Sequence, residues 1–482
     1  MISLDLETPA HPEGFGEFGC PQKKRMRFIN LTRQTEIGAN SYFLELDGKK
    51  LVLDAGLHPK QEGEAALPHY RIIPDGSLDA ILISHAHQDH IGSLPVLMRR
   101  QPQARVFMTG ATAKLSDVML HNSVNVMSRQ RDELRIPNYP LFTHREADHA
   151  SELWQSVGFR QYWTVDGERV PKPDHDLTFE MYDSGHILGS AGILLRAEGK
   201  KVFYTGDVNF LQQTLMRGAE FPEDDIDILI IETTRGDRSL EVGYSRKSEE
   251  RRFLAAIEEA FDKGGSILVP VFALGKTQEI LTMLHLFKRQ GELQHVPIYI
   301  GGLSTKITIL HDQLASRTSR QYEGLQLLDS LGPHVLSSRD VQTTQIGRRR
   351  IYALSSGMMT EKTLSNQLAE RFLTDPRQSV FFVGYADPES PGGRLKAARP
   401  HDLVQLDEGL PSQSLACQVS EFDFSAHAPR ELLFDYIRKI SPKIVILVHG
   451  DPPAVSWFES RIAKELPGIT TVIPEPGKEY EF

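Results

Sequence analysis

The sequence predicts an α/β protein, and three observations carry that expectation. The first ~230 residues read as successive short strands with helical patterns between some of them. After Glu232 the pattern becomes a regular alternation of strand and helix, which implies a mostly parallel sheet. The chain then returns to two strand-like segments, "LACQVSEFDFSAH" and "PKIVILVHG", which carry histidine at or next to their ends.

Taken in order, the early strands are "RFINL", "SYFLEL", "KLVLDAG", "DAILISH", "RVFMTG", "LTFEMYDSG", "GILLRA", "KVFYTGD" and "IDILIIETT", with helices expected at Leu94–Arg100 and Ala113–Asn125. A polar, charged stretch, "RGDRSLEVGYSRKSEERR", precedes the alternating region. There "GSILVPVF" leads to a helix from about Leu274 to Arg289, "VPIYIGG" to one near Leu303–Ala315, and "RRIYALSSG" to one near Glu361–Leu373; "QSVFFVGY" follows. A last helix is expected near Arg430–Lys439. The boundaries this implies are an N-terminal arm at 1–27, a first domain at 28–232, an inserted domain at 233–399 and a return to the first domain at 400–482.

The 482 residues are 40% hydrophobic, enough for a substantial core. The formal net charge of -10 argues against wholesale nonspecific nucleic-acid binding, though not against a locally basic cleft. Basic clusters occur at Lys23–Arg27, Arg348–Arg350 and, spaced, Gly392–Arg399. The two cysteines, Cys20 and Cys417, are too few for a disulfide framework and do not read as a zinc–thiolate site. Any metal must therefore use histidine and carboxylate, and a reducing cytoplasm is the expected location. The polar N-terminus has no apolar h-region, so no signal peptide is expected, and no run of 18 apolar residues predicts a membrane span.

The densest chemistry is in "ILISHAHQDHIGSLP", where His85, His87, Asp89 and His90 fall within six residues after an apolar run. Metal ligands must be lone-pair donors held in fixed directions, and such a loop can present them to two adjacent ions. Further ligand-type residues sit at other strand ends, where loops carry chemistry on a rigid scaffold. They are His186 in "YDSGHILGSAG", Asp207 in "VFYTGDVN" and His449 in "VILVHGD". Histidine and aspartate without thiolate suit zinc, with manganese or iron as alternatives.

These motifs, in this order, resemble the metallo-β-lactamase superfamily, whose signature is HxHxDH. With Glu232 in "IIETTRGDR", His427 in "DFSAHA" and His449 in "LVHGD", the chain further resembles the β-CASP branch, over about residues 28–482. "GSILVPVFALGKTQEIL" also looks like that branch's strand-to-helix entry. The resemblance implies an αββα sandwich with an inserted β-CASP domain. It also implies two zinc ions, one held by His85, His87 and His186, the other by Asp89, His90 and His449, with Asp207 between them and Asp54 in "LVLDAG" orienting ligands.

The activity so implied is phosphodiester hydrolysis of single-stranded RNA by a hydroxide bridging the two ions. Asp89, Asp207, His427 and Glu232 would be catalytic residues. His427 would be the general acid for the leaving 3′ oxygen, and Glu232 would orient it. In this family a histidine at the position of His449 goes with RNA-directed members and valine with DNA-directed ones. The inserted domain would close over the metals. Phosphate contacts would come from Arg394 and Lys396 in "GGRLKAAR" and from Ser356 and Gly357 in "SSGMMTEKT". "IGGLSTKIT" departs from the Ser-Pro segment of many relatives, which leaves endo- against exonuclease action open. Relatives allow a homodimer, which nothing in the sequence demonstrates. The alternatives are a DNA nuclease of the same family, a small-molecule ester, lactam or thioester hydrolase, and a scaffold subunit with a dead site. The last is disfavoured because every expected ligand is present.

Overall fold

The computed structural model describes residues 26–482, apart from residues 176, 198, 224 and 344. The expected arm at 1–27 thus lies outside the described residues save for its last two positions. Of these, Met26 is buried and Arg27 opens a strand, its guanidinium donating to Glu45 at 2.5 Å and Glu479 at 2.7 Å.

Two sheets pack face to face. The first has seven strands in the spatial order Glu479–Glu481, Arg27–Asn30, Tyr42–Leu46, Lys49–Leu53, Ala80–Leu82, Arg105–Thr109 and Trp154–Val157. The second has eight, in the order Thr470–Val472, Ile444–Val448, Ile228–Glu232, Lys200–Tyr204, Ala191–Ala197, Leu177–Asp183, Tyr162–Thr164 and Arg169–Val170. Side chains alternate across a strand, and the sequence uses that alternation. Tyr42, Leu44 and Leu46 point into the core between the sheets, and Phe43 points out of it. Ile228 and Ile230 point in, while Leu229 and Ile231 point out. The outward residues are covered by helices. Leu94–Arg100 and His144–Glu152 pack on the first sheet, Arg430–Ile440 and Pro452–Glu465 on the second. The result is the expected four-layer αββα sandwich. Each fully buried Leu, Ile or Phe in it contributes about 1.5–3 kcal/mol relative to exposure.

The strands Ile228–Glu232 and Ile444–Val448 are parallel neighbours, with Glu232 opposite Val448. Parallel neighbours need a crossover, and here the crossover contains a second domain. Its sheet has six strands, in the order His334–Leu336, Ile298–Gly301, Ile351–Leu354, Ile267–Pro270, Ser379–Phe382 and Gln418–Glu421, and every pairing is parallel. The edge strand Gln418–Glu421 lies beyond 399, so the insert runs further than the sequence boundary. It also begins with a helix, Arg246–Asp262, inside the stretch read as merely polar and charged. Ser245 caps that helix, and Phe253, Ile257, Ala260 and Phe261 form its apolar stripe against the insert's core. The helix expected at Ala113–Asn125 runs from Gly110 to Leu134 and forms one wall of the cleft below. Among the described residues, no helix is long and apolar enough to cross a membrane.

Candidate metal centre and its cleft

The ligand-type residues converge because each follows the end of a strand. Asp54 follows Lys49–Leu53, His85 follows Ala80–Leu82, His186 follows Leu177–Asp183, Asp207 follows Lys200–Tyr204, and His449 follows Ile444–Val448. His87 precedes the short helix Gln88–Ile91, which carries Asp89 and His90. Asp54 and His449 take left-handed backbone angles, φ 59° and 49°. Non-glycine residues held there concentrate at functional sites. Gly56 is required for a different reason. A Cβ there would lie 1.9 Å from the Asp89 carbonyl oxygen, so no side chain fits between these loops.

Three groups of ligand-type side chains result among the described residues, two of them made of the expected ligands and the third of Asp207, Glu232 and His427. His87 Nδ1 is 3.1 Å from both His85 Nε2 and His186 Nε2, and each of those lies 3.5 Å from Asp207 Oδ2. In the second group His449 Nε2 is 3.3 Å and His90 Nε2 3.6 Å from Asp89 Oδ2. Asp207 turns its other oxygen, Oδ1, to this group, 3.4 Å from His90 Nε2 and 3.2 Å from His449 Nδ1. One carboxylate therefore faces both groups.

These donors fit divalent cations. Bonds of about 2.0–2.1 Å in a tetrahedron place ligand atoms roughly 3.3–3.4 Å apart, close to the spacing of the first group. Asp207 Oδ1 is buried without a hydrogen bond, a costly state for a carboxylate unless positive charge faces it. Burial, helped by neighbouring histidines, holds His85 and His186 well below the usual histidine range, in the neutral form that ligates metal. His90 departs in the opposite direction. Burial opposes its charge, but Asp207, Asp89 and Asp54 outweigh burial and raise it well above the usual range. Cys417, by contrast, lies in the insert's core, where burial pushes its thiol up to about 12.

A layer of buried hydrogen bonds sets which ring nitrogen faces the ions. His90 Nδ1 donates to Asp54 Oδ2 at 2.8 Å, which leaves Nε2 for the cavity. Asp54 is fully buried and also accepts from Ser84 N and Ser84 Oγ, each at 2.7 Å, and from Tyr204 OH at 2.6 Å. Ser84 Oγ in turn accepts from His85 Nδ1 at 3.0 Å, and His186 Nδ1 donates to the Ala426 carbonyl at 2.9 Å. Such partners fix ligand orientation. Asp54→Asn is accordingly expected to weaken divalent-cation binding about 10–100-fold without unfolding the chain. Chelator-competition titration checks this, and unchanged affinity removes Asp54 from the orienting layer. The sequence reading missed Ser84, Tyr204 and Thr234, whose Oγ1 lies 2.8 Å from His449 Nδ1. Ser84 adjoins the HxHxDH run, the one local signal available.

His427 and Glu232 form a separate pair beside the ligands. His427 Nδ1 donates to both Glu232 oxygens at 3.2 Å, and its Nε2 faces Asp207 Oδ2 at 4.0 Å. Glu232 is buried and fixed by Val208 N at 2.7 Å. Burial disfavours the His427 cation, but Glu232 and Asp207 outweigh it and raise the group above its ordinary value.

The metal groups open into a cleft of about 2280 Å³ between sandwich and insert. Its walls include Lys60, Arg129, Arg238 and Lys362, none of which the sequence reading singled out. Ser356 lies on the wall as expected. Gly357 does not line it; a Cβ there would meet the Phe272 ring at 2.9 Å, so this glycine serves packing. Arg394 lines the cleft, but its guanidinium donates to the carbonyls of Glu389 at 2.7 Å and Gln405 at 3.2 Å. Lys396 is off the wall, paired with Glu421 of the insert's edge strand. Local structure thus claims three of the four expected phosphate contacts, Arg394, Lys396 and Gly357.

An αββα sandwich with this histidine–aspartate cage at its strand ends defines a metallo-hydrolase class of fold. Family models match three parts of the chain. Residues 43–232 match a metallo-beta-lactamase superfamily domain, 277–395 a Beta-Casp domain, and 413–474 a Zn-dependent metallo-hydrolase RNA specificity domain. The chain thus carries regions that match metallo-beta-lactamase, Beta-Casp and RNA-specificity metallo-hydrolase domains. It is 29% identical over 452 residues to the cleavage and polyadenylation specificity factor 73 of Drosophila melanogaster, covering 89% of this chain and 60% of that one. It is 28% identical over 451 residues to the endoribonuclease YSH1 of Eremothecium gossypii, covering 90% of this chain and 56% of that protein. The chain thus spans somewhat over half the length of these relatives. A protein of unknown function from Enterococcus faecalis shares the fold, with a TM-score of 0.55 at 12% identity over 95% of this chain and all of that one.

Proposed function

We propose that the chain is a metal-dependent endoribonuclease that hydrolyses phosphodiester bonds of single-stranded RNA. The observation that carries the reading is the coexistence of two His/Asp ligand groups sharing Asp207 with the Glu232–His427 pair at their edge, at the floor of a cleft. Relatives named as endoribonucleases and a domain described as conferring RNA specificity support RNA and internal cleavage. The residues that would hold two zinc ions are His85, His87 and His186, and Asp89, His90 and His449, with Asp207 facing both. Such ions supply charge stabilisation at phosphoryl oxygens and a lowered water pKa.

The chain's own groups supply the rest. On the cleft wall Lys60 pairs with Asp387 and Lys362 with Glu133 at 3.3 Å, so Arg129 is the wall cation that would meet a phosphate. His427 holds a proton at Nε2, toward the ligands, while Glu232 binds Nδ1–H and stabilises the imidazolium. As a water oxygen adds to phosphorus and the P–O3′ bond breaks, His427 delivers that proton to the departing 3′ oxygen. The products are a 3′-hydroxyl and a 5′-phosphate. A small-molecule hydrolase would need neither this pair nor a cleft of this size.

The test is cleavage of matched 5′-labelled single-stranded RNA and DNA by metal-quantified protein. RNA cut preferentially at internal positions is the expected result. Equal or preferential cutting of DNA would transfer the reading to the DNA-nuclease alternative, and inertness toward both strands would overturn it.

A further inference from the structure

Lys276 is a buried lysine at the start of the insert's helix Lys276–Gln290, and no step of the chemistry above uses it. Its ammonium donates to the backbone carbonyl of Phe424, three residues before His427. The segment between them is short and otherwise tied. Arg235 NH2 donates to Asp423 Oδ2 at 2.6 Å, Tyr244 OH to the Asp423 carbonyl at 2.7 Å, and Asp423 N to Glu249 Oε1 at 2.6 Å. The same segment supplies the Ala426 carbonyl that orients His186.

Lys276 also belongs to an ion cluster reaching the other side of the site. Arg246 donates to Glu279 at 2.6 Å, and Glu279 accepts the backbone N–H groups of Thr214 at 2.8 Å and Leu215 at 2.7 Å. Gln213, next in sequence, donates to the carbonyls of Gly185 at 2.7 Å and His186 at 2.9 Å. One face of the insert's helix thus grips both the segment bearing His427 and the loop behind His186. A buried lysine costs stability unless paired. Burial and Arg246 push this one down to about 7 despite Glu279 and Asp423. A hydrogen bond to a main-chain carbonyl does not require that cost, since a smaller neutral donor would serve. Reach does require it, because the long stem extends from the insert to the acid-bearing segment.

We propose that Lys276 is a positioning residue for proton delivery, holding the Phe424 carbonyl so that His427 Nε2 stays directed at the leaving oxygen. The inserted domain then acts on the chemical step as well as on substrate entry. The proposal rests on His427 being the general acid, and the experiment separates the two. Lys276→Met keeps the apolar stem and removes the donor. A misplacement of about 1 Å in a catalytic group can cost ~10²-fold, so Lys276→Met is expected to lower kcat for RNA cleavage by roughly 10–100-fold with KM little changed. Hydrolysis of bis(p-nitrophenyl) phosphate, whose leaving group departs without a proton, should slow far less, because only the segment's hold on His186 through the Ala426 carbonyl reaches it. In a His427→Ala background Lys276→Met should add nothing further. Hydrogen exchange of residues 422–428 in the metal-free protein should rise in the variant, and Lys276→Arg should restore most of the rate.

Equal slowing of RNA and aryl diester, full additivity with His427→Ala, or an unchanged RNA rate would each overturn the proposal. If Lys276→Met does not fold, Lys276→Gln carries the same comparison with a shorter donor. If His427→Ala alone leaves RNA cleavage intact, the acid assignment fails first, independently of Lys276.

Discussion

His87→Ala is expected to abolish RNA cleavage, by at least ~10³-fold, the scale lost when a major electrostatic contribution at a transition state is removed. His87 Nδ1 is the corner shared by the first ligand group, 3.1 Å from both His85 Nε2 and His186 Nε2. Without it His85, His186 and Asp207 remain, three donors that hold a cation less tightly. The fold should survive. His87 is only half-buried, on the cleft wall rather than in the core, and the helix Gln88–Ile91 that follows it is still anchored, with Leu57 N donating to the Gln88 carbonyl at 2.9 Å. His85 is a poorer choice for this experiment, because it is fully buried and its loss confounds metal binding with packing. Elemental analysis should show about one ion fewer per chain, circular dichroism an unchanged spectrum, and the labelled-RNA assay no product. A variant that retains its metal and cuts RNA at the parent rate would end the dinuclear argument.

The clustering of the candidate ligands was legible because the chemistry is compressed in sequence. His85, His87, Asp89 and His90 announce themselves within one loop, and His186, Asp207 and His449 each follow a recognisable strand. Of the orienting layer Asp54 was legible, but the side chains around it were not. The Tyr204 hydroxyl reaches Asp54 across 150 positions, and Thr234 reaches His449 across 215. Ordinary polar residues carry no local mark of such pairings. The fold class and the strand–helix alternation of the insert could be read from periodicity, whereas the insert's ends could not. The edge strand Gln418–Glu421 lies in a segment read as strand-like, but its half-exposed pattern carries no mark of which sheet it joins, and it pairs with Ser379–Phe382 of the insert. The charged face of Arg246–Asp262 hid an apolar stripe that only helical spacing reveals. Lys396 and Arg394 show the limit of reading basic runs. Sequence counts the charge, but Glu421 and the Glu389 and Gln405 carbonyls decide whether that charge is free.

His427→Ala is expected to keep the full metal content and slow RNA cleavage ~10²–10⁴-fold, the contribution of a positioned general acid. His427 is not part of either ligand pair. Its Nε2 stops 4.0 Å from Asp207 Oδ2, while Nδ1 is engaged by Glu232. The ring is therefore oriented toward the ligands without closing on them, which suits proton delivery to an oxygen lying between. A ribose 3′-oxygen is a poor leaving group and needs that proton, whereas p-nitrophenolate does not. The variant should consequently lose far more activity on RNA than on bis(p-nitrophenyl) phosphate. Glu232→Gln should move in the same direction by a smaller factor, since an amide still accepts from Nδ1 but no longer stabilises the imidazolium. If both substrates slow equally while metal content holds, His427 acts on substrate binding or on the ligands themselves. The proton for the 3′ oxygen must then come from solvent in the cleft.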